Sequence, residues 1–212
     1  MTDFAQTLIY VHAGFGGLAL LAGAVSLIAT KGSKGHKKSG LVFYYSMLNS
    51  ACMALVISFL PQHESAFLFS IGLFSSYFIL IGYRARNFKQ KSYDTKIERL
   101  MALTMMVVCV AMIGYPIVVL SEINTILLVF GLFGLFISFR DYYLFKQADR
   151  LRKRWLKMHL GNMIGGYISA STAFVVVNNI FPGISGWFIP GIFGGLYIMY
   201  WMNKLNKKVQ KN

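Results

Sequence analysis

The sequence predicts an all-α integral membrane bundle of seven transmembrane helices. They form one domain over residues 1–212, with the N-terminus outside and the C-terminus cytoplasmic. Three observations carry this reading. The chain is 56% hydrophobic and only 13% charged, with a mean hydropathy of +0.57; soluble domains carry roughly 25% charge. Apolar runs close to the ~20 residues needed to cross a hydrocarbon core recur seven times. Finally, all 21 Lys and Arg fall in alternate connections, and basic residues gather on the cytoplasmic side of a membrane.

The first span is expected at Leu8–Thr30. No basic segment precedes it, so it reads as a retained helix rather than a cleaved signal. Lys31, Lys34, Lys37 and Lys38 then mark an inner segment. The second and third spans, Leu41–Leu60 and Ala66–Tyr83, flank a short outer turn at Pro61–Ser65. Arg84, Arg86, Lys89, Lys91, Lys96 and Arg99 form the next inner segment. The fourth and fifth spans, Leu100–Leu120 and Ile123–Phe139, meet outside at Ser121–Glu122. The segment from Arg140 to Lys157 holds seven more basic residues, and it is able to continue the fifth helix inward before turning back. The sixth and seventh spans are His159–Phe181 and Trp187–Met202, and Lys204, Lys207, Lys208 and Lys211 make a basic tail. The outer side carries only Asp3, Glu64 and Glu122. An even number of crossings would move a basic segment outside. Trp155, Trp187 and Trp201 fall at predicted helix ends, where aromatic belts form. Continuous rather than alternating apolar runs exclude an outer-membrane barrel.

The formal charge of +14 therefore orients the chain and attracts anionic lipids of the bilayer to its inner face. With no domain outside the membrane, nucleic acid is not an expected partner. Two cysteines exclude a disulfide framework or a multi-cysteine metal site. There is no lysine in a helix core for a retinal Schiff base, no Asp or Glu placed mid-membrane and no Walker loop. His63–Glu64 begins a zinc-protease pattern, but Phe67 stands where the second ligand belongs. The outer-turn position of His63 reads as exposed. No nucleophile–base–acid set is visible, so an enzyme is the least supported reading.

The candidate ligand or cofactor residues are His12, His36, His159, Asn162, Asn49 and Ser169. His12 shares a helix face with Gly16, Ala19, Gly23, Ser26 and Thr30, so it is expected to point into the bundle. An ionisable residue within a membrane is functional by default; the bland alternative is a neutral histidine bonded to a neighbouring helix. On the sixth helix, His159, Asn162, Gly166, Ser169 and Ala173 make a polar and small face with Thr172 at its margin. That face either lines a site or supplies interhelical hydrogen bonds. Asn49 lies with Tyr45 and Cys52 and needs a partner if buried, for which Asn162 or Ser169 would serve. His36 sits in Gly-His-Lys-Lys-Ser-Gly at the inner entry to the second helix. His12 and His63 are outer, His36 and His159 inner, and about 30 Å of core separates the two levels. The inner pair, His36 with His159, is able to share a ligand if the second and sixth helices are neighbours, and a bis-histidine haem b would use it. The Gly161–Gly165 and Gly191–Gly195 spacings suit close helix packing, within the chain, in a homo-oligomer or against a membrane partner.

Two blocks resemble a family of predicted bacterial multi-pass membrane proteins catalogued only as a domain of unknown function. The first is His12 with Gly16–Gly23, Lys31-Gly32 and His36–Gly40; the second is Met158–Ile168 with Thr172–Phe174 and Asn178. The resemblance implies a bacterial inner-membrane location and makes His12, His36, His159, Asn162 and Asn178 family-pattern positions. It carries no activity. The working expectation is a histidine-based small-ligand or redox site. The rivals are a small-solute transporter or channel using Asn49, Asn162, Ser169 and Thr172, and a noncatalytic membrane subunit or assembly factor.

Overall fold

The computed structural model describes residues 2–209, all of whose long elements are helices. Lys211 of the basic tail lies outside the described residues, as do the side chains of Asp3 and Lys208. The helices are α1 (Thr2–Ile28), α2 (Lys34–Ile57), α3 (Ala66–Arg84), α4 (Lys96–Val118), α5 (Thr125–Phe145), α6 (Ala148–Val177) and α7 (Ser185–Val209). A short 3-10 turn at Ala85–Lys89 prolongs α3.

Side-chain caps set several starts. Ser33 accepts from the amide of His36, Ser65 from that of Leu68 and Asn124 from that of Leu127. Each satisfies an amide that the first turn leaves without a helical partner. The seven helices match the seven expected apolar runs, but two boundaries differ in a way that matters. Helix α5 continues to Phe145 and α6 begins at Ala148, so the expected inner connection is almost wholly helical. His159 is therefore not the opening of the sixth helix. It lies eleven residues inside it, about 16 Å along the axis. The apolar count missed this because the first three turns of α6 carry Asp149, Arg150, Arg152, Lys153, Arg154 and Lys157.

Six helices are long and apolar enough to cross a membrane: α1 to α6, with α3 counted through Lys89. Helix α7 has the length, at 25 residues, but Gly, Tyr and Trp dilute its apolar stretch. Large apolar side chains such as Leu21, Ile28, Val118 and Phe193 stand exposed. Soluble proteins rarely leave apolar patches beyond a few hundred Å² open to water; hydrocarbon is the solvent that suits this surface.

Two cores organise the bundle. Helices α1, α2, α3 and α6 enclose Ala19, Ala22, Phe43, Met47, Ile79 and Ala170. In this ring α1 packs on α2, α2 on α3, α3 on α6, and α6 closes on α1, so α2 and α6 lie diagonally opposite. The second core joins α3 to the α4–α5 hairpin and α6 through Phe74, Phe78, Ile81, Met105, Cys109 and Phe145. Helix α7 lies against α6 and reaches α1 at its end, where Tyr197 Oη donates to Leu27 O at 3.1 Å. Close approach depends on glycine in places. A Cβ on Gly23 would strike the Tyr167 ring, and one on Gly166 would strike Ile79.

Candidate functional site

Three histidines use one ring nitrogen in the same way. His12 Nδ1 lies 2.9 Å from Ser50 O on α2. His36 Nδ1 lies 3.0 Å from Ser26 O on α1. His159 Nδ1 lies 2.8 Å from Gly82 O on α3. A carbonyl only accepts, so Nδ1 carries the proton in each neutral ring. Nε2 is left with a lone pair and no hydrogen-bond partner among the described residues. A backbone carbonyl that fixes Nδ1–H while Nε2 stays free is how ligating histidines are commonly oriented.

The three are not one site. His12 is half-buried between α1 and α2, and Ser50 Oγ closes the contact by donating to His12 O at 3.2 Å. A Cβ on Gly16, one turn along, would come within 3.3 Å of Ser50 Oγ. His12 thus fastens the α1–α2 pair. His36 and His159 come from the diagonal helices of the ring, and each lies within electrostatic reach of the other. Arg86 also acts on His159. Lys31 Nζ donates at 3.0 Å to Ser26 O, the carbonyl that holds His36. The inner pair is expected to share a ligand if the second and sixth helices are neighbours; α2 and α6 instead lie diagonally across the ring, and the two rings are related by an electrostatic interaction. Met163 lies against Gly82, next to the His159 contact. Imidazole nitrogens of this kind would be able to ligate iron. No group of three or more His, Cys, Asp or Glu able to hold a metal ion occurs among the described residues.

The expected polar face of α6 divides. His159 and Gly166 turn toward α3 and the first core. Asn162, Ser169 and Thr172 are buried on another side and line a cleft bounded by α3, α5, α6 and α7. Asn162 Nδ2 donates to Met158 O and Ser169 Oγ to Gly165 O, both within α6. Asn49 does not join them. It is exposed on α2, and its Nδ2 donates to Tyr45 O one turn back. Asn178 is exposed and bonds Phe174 O at the end of α6. His63 is exposed in the outer turn, as expected.

Two buried carboxylates were missed. Asp141 was assigned to an inner connection but lies within α5, fully buried, accepting from Tyr77 Oη at 3.0 Å and from Arg140 at 2.7 Å. Glu98 is fully buried at the start of α4, 2.6 Å from Arg84 Nε and 2.7 Å from Tyr93 Oη. Its second oxygen, Oε2, has no hydrogen-bond partner among the described residues. The signal was available in part, since the sequence allowed the fifth helix to run past Arg140. No family model, curated protein or solved structure matches this chain.

Proposed function

We propose that this chain is a seven-span protein of the bacterial inner membrane whose cytoplasmic end holds a histidine-ligated small ligand or redox cofactor. One observation carries the ligand site. His36 and His159 come from opposite helices, interact electrostatically, and each presents an Nε2 unused among the described residues with its Nδ1 fixed on a backbone carbonyl. Haem b is the redox form of that ligand. His36 and His159 would hold it through Nε2, and Lys31 and Arg86 would supply positive charge for its carboxylates. The protein's part is to orient both rings through their Nδ1–H bonds to backbone carbonyls.

Segregation of all the basic residues to alternate connections supports the seventh span and the N-out orientation. The two sequence blocks that resemble a bacterial membrane family support the location. A transport reading keeps Asn162, Ser169 and Thr172 along one cleft, without Asn49.

The test is the absorption spectrum of the full chain in mild detergent, oxidised and dithionite-reduced, with metal analysis of the same sample. The expected result is a Soret band that shifts on reduction and is lost in His36→Ala and in His159→Ala but kept in His12→Ala. A colourless, metal-free protein that stays so after incubation with haem overturns the reading.

A further inference from the structure

A large cleft lies apart from the histidines. It is a cleft of about 1230 Å³ between α5 and α7, floored by α3 and α6. Ordinary small-molecule pockets hold about 300–1,000 Å³. Its long wall is apolar, with Phe74, Phe78, Phe133 and Ile192 among the lining side chains. One end lies at Trp187, near the outer connection. The other ends at the α5–α6 junction, where Arg140, Arg150, Arg154 and Lys157 line it and no Asp or Glu does.

Three of these four cations carry no ion pair among the described residues. Arg140 is paired with Asp141, but Arg150 meets only the neutral Gln147 and Lys157 only the neutral Asn206. Arg154 has no partner among the described residues. On the floor, Thr172 is 2% exposed and lines the cleft, yet its hydroxyl has no hydrogen-bond partner among the described residues. A hydroxyl facing hydrocarbon without a partner is costly, so the cleft suits an occupant with polar atoms as well as chains.

Gly191 and Gly195 point the same way. A Cβ on either would meet nothing within 4 Å. This spacing, expected to mark close packing, here faces the open cleft. A second copy of the chain fits it poorly. With both copies oriented alike in the membrane, basic inner faces would approach one another, and like charges repel.

We infer that the cleft is a binding site for an anionic phospholipid of the inner leaflet. The phosphate sits among Arg150, Arg154 and Lys157, and the acyl chains lie along the Phe74–Phe78–Phe133 wall. Guanidinium groups suit phosphate oxygens because their donors form a planar fork. The site is separate from the histidine pair, so a failed cofactor test leaves it standing.

The experiment is native mass spectrometry of the full chain in mild detergent, titrated with phosphatidylglycerol or phosphatidylcholine bearing the same acyl chains. The expected result is one tightly held phosphatidylglycerol, bound about tenfold more tightly than phosphatidylcholine, as one or two charge-assisted bonds would give. The double variant Arg150→Gln/Arg154→Gln should abolish the preference. Gly191→Phe fills the cleft without touching the charges and should abolish the tight site while leaving thermal stability in place. Equal binding of the two lipids overturns the proposal. So does unchanged phosphatidylglycerol binding in Gly191→Phe, which would place the lipid on the general basic surface. Disulfide-linked dimers of Gly191→Cys formed in native membranes would assign the cleft to a second copy and also overturn it.

Discussion

Tyr77 Oη donates to the Asp141 carboxylate at 3.0 Å, joining α3 to α5 through two buried side chains. Asp141 sits in α5 only one turn from its inner end, where its other oxygen meets Arg140. Removing the tyrosine hydroxyl leaves a buried acceptor short of one donor. Tyr77→Phe should therefore lower stability by roughly 1–3 kcal/mol, the cost of an unmade bond to a charged group. Thermal unfolding of the detergent-solubilised chain measures it, and an unchanged midpoint would show that Arg140 alone satisfies Asp141.

The cluster at the α3–α4 turn gives a pH dependence. Tyr93 lies between the two spans and donates to Glu98, and Arg84 Nη2 donates to Tyr93 Oη at 2.8 Å. Burial, reinforced by the bond to Glu98, holds the Tyr93 phenol above its usual range. A raised phenol pKa means that the folded state keeps the proton longer. The stabilisation is complete below about pH 10, the unfolded value, and is lost as pH rises through the folded value. Wild type should lose stability more steeply than Tyr93→Phe above pH 10. Parallel curves for the two proteins would refute the linkage. At neutral pH, Arg84→Met should cost about 3–5 kcal/mol, because it strands the Glu98 carboxylate.

Helix number was legible because the length set by hydrocarbon thickness is a property of single segments. The diagonal placement of His36 and His159 was not, since it depends on α1 closing onto α6, and that follows from the Gly23–Tyr167 contact. Nor was the split face of α6. His159 and Asn162 are three residues apart and read as one polar stripe. They turn to different neighbours because α3 and the cleft meet α6 on adjoining sides. Asp141 was hidden for a different reason. A charge near a helix end resembles a connection until the helix is seen to continue through it.

Two glycines of α7 separate packing from open space. A Cβ on Gly194 would strike the Ile168 side chain of α6, whereas one on Gly191 would meet nothing within 4 Å. Gly194→Ala should destabilise by about 1–3 kcal/mol through overpacking. Gly191→Ala should be neutral or stabilising by up to ~1 kcal/mol, since alanine favours the helix and orders the unfolded chain. Melting midpoints of the two variants should move in opposite senses or by clearly different amounts. Equal destabilisation would mean that α7 does not turn these faces as described.

His12 tests whether the shared histidine geometry means a shared role. Its Nδ1–H is held by Ser50 O as firmly as those of His36 and His159 are held by Ser26 O and Gly82 O, but between α1 and α2. A lone imidazole between α1 and α2 is an interhelical clamp, worth about 1 kcal/mol for a net hydrogen bond. His12→Ala removes the ring's bond to the Ser50 carbonyl and Ser50→Ala removes the Oγ bond to the His12 carbonyl, so each should cost about that much and the double variant close to their sum. Neither should alter the absorption spectrum or the lipid titration. A His12→Ala protein with a normal melting midpoint and a lost cofactor would give His12 a ligand role, and the separation of the inner and outer histidines by depth would then be wrong.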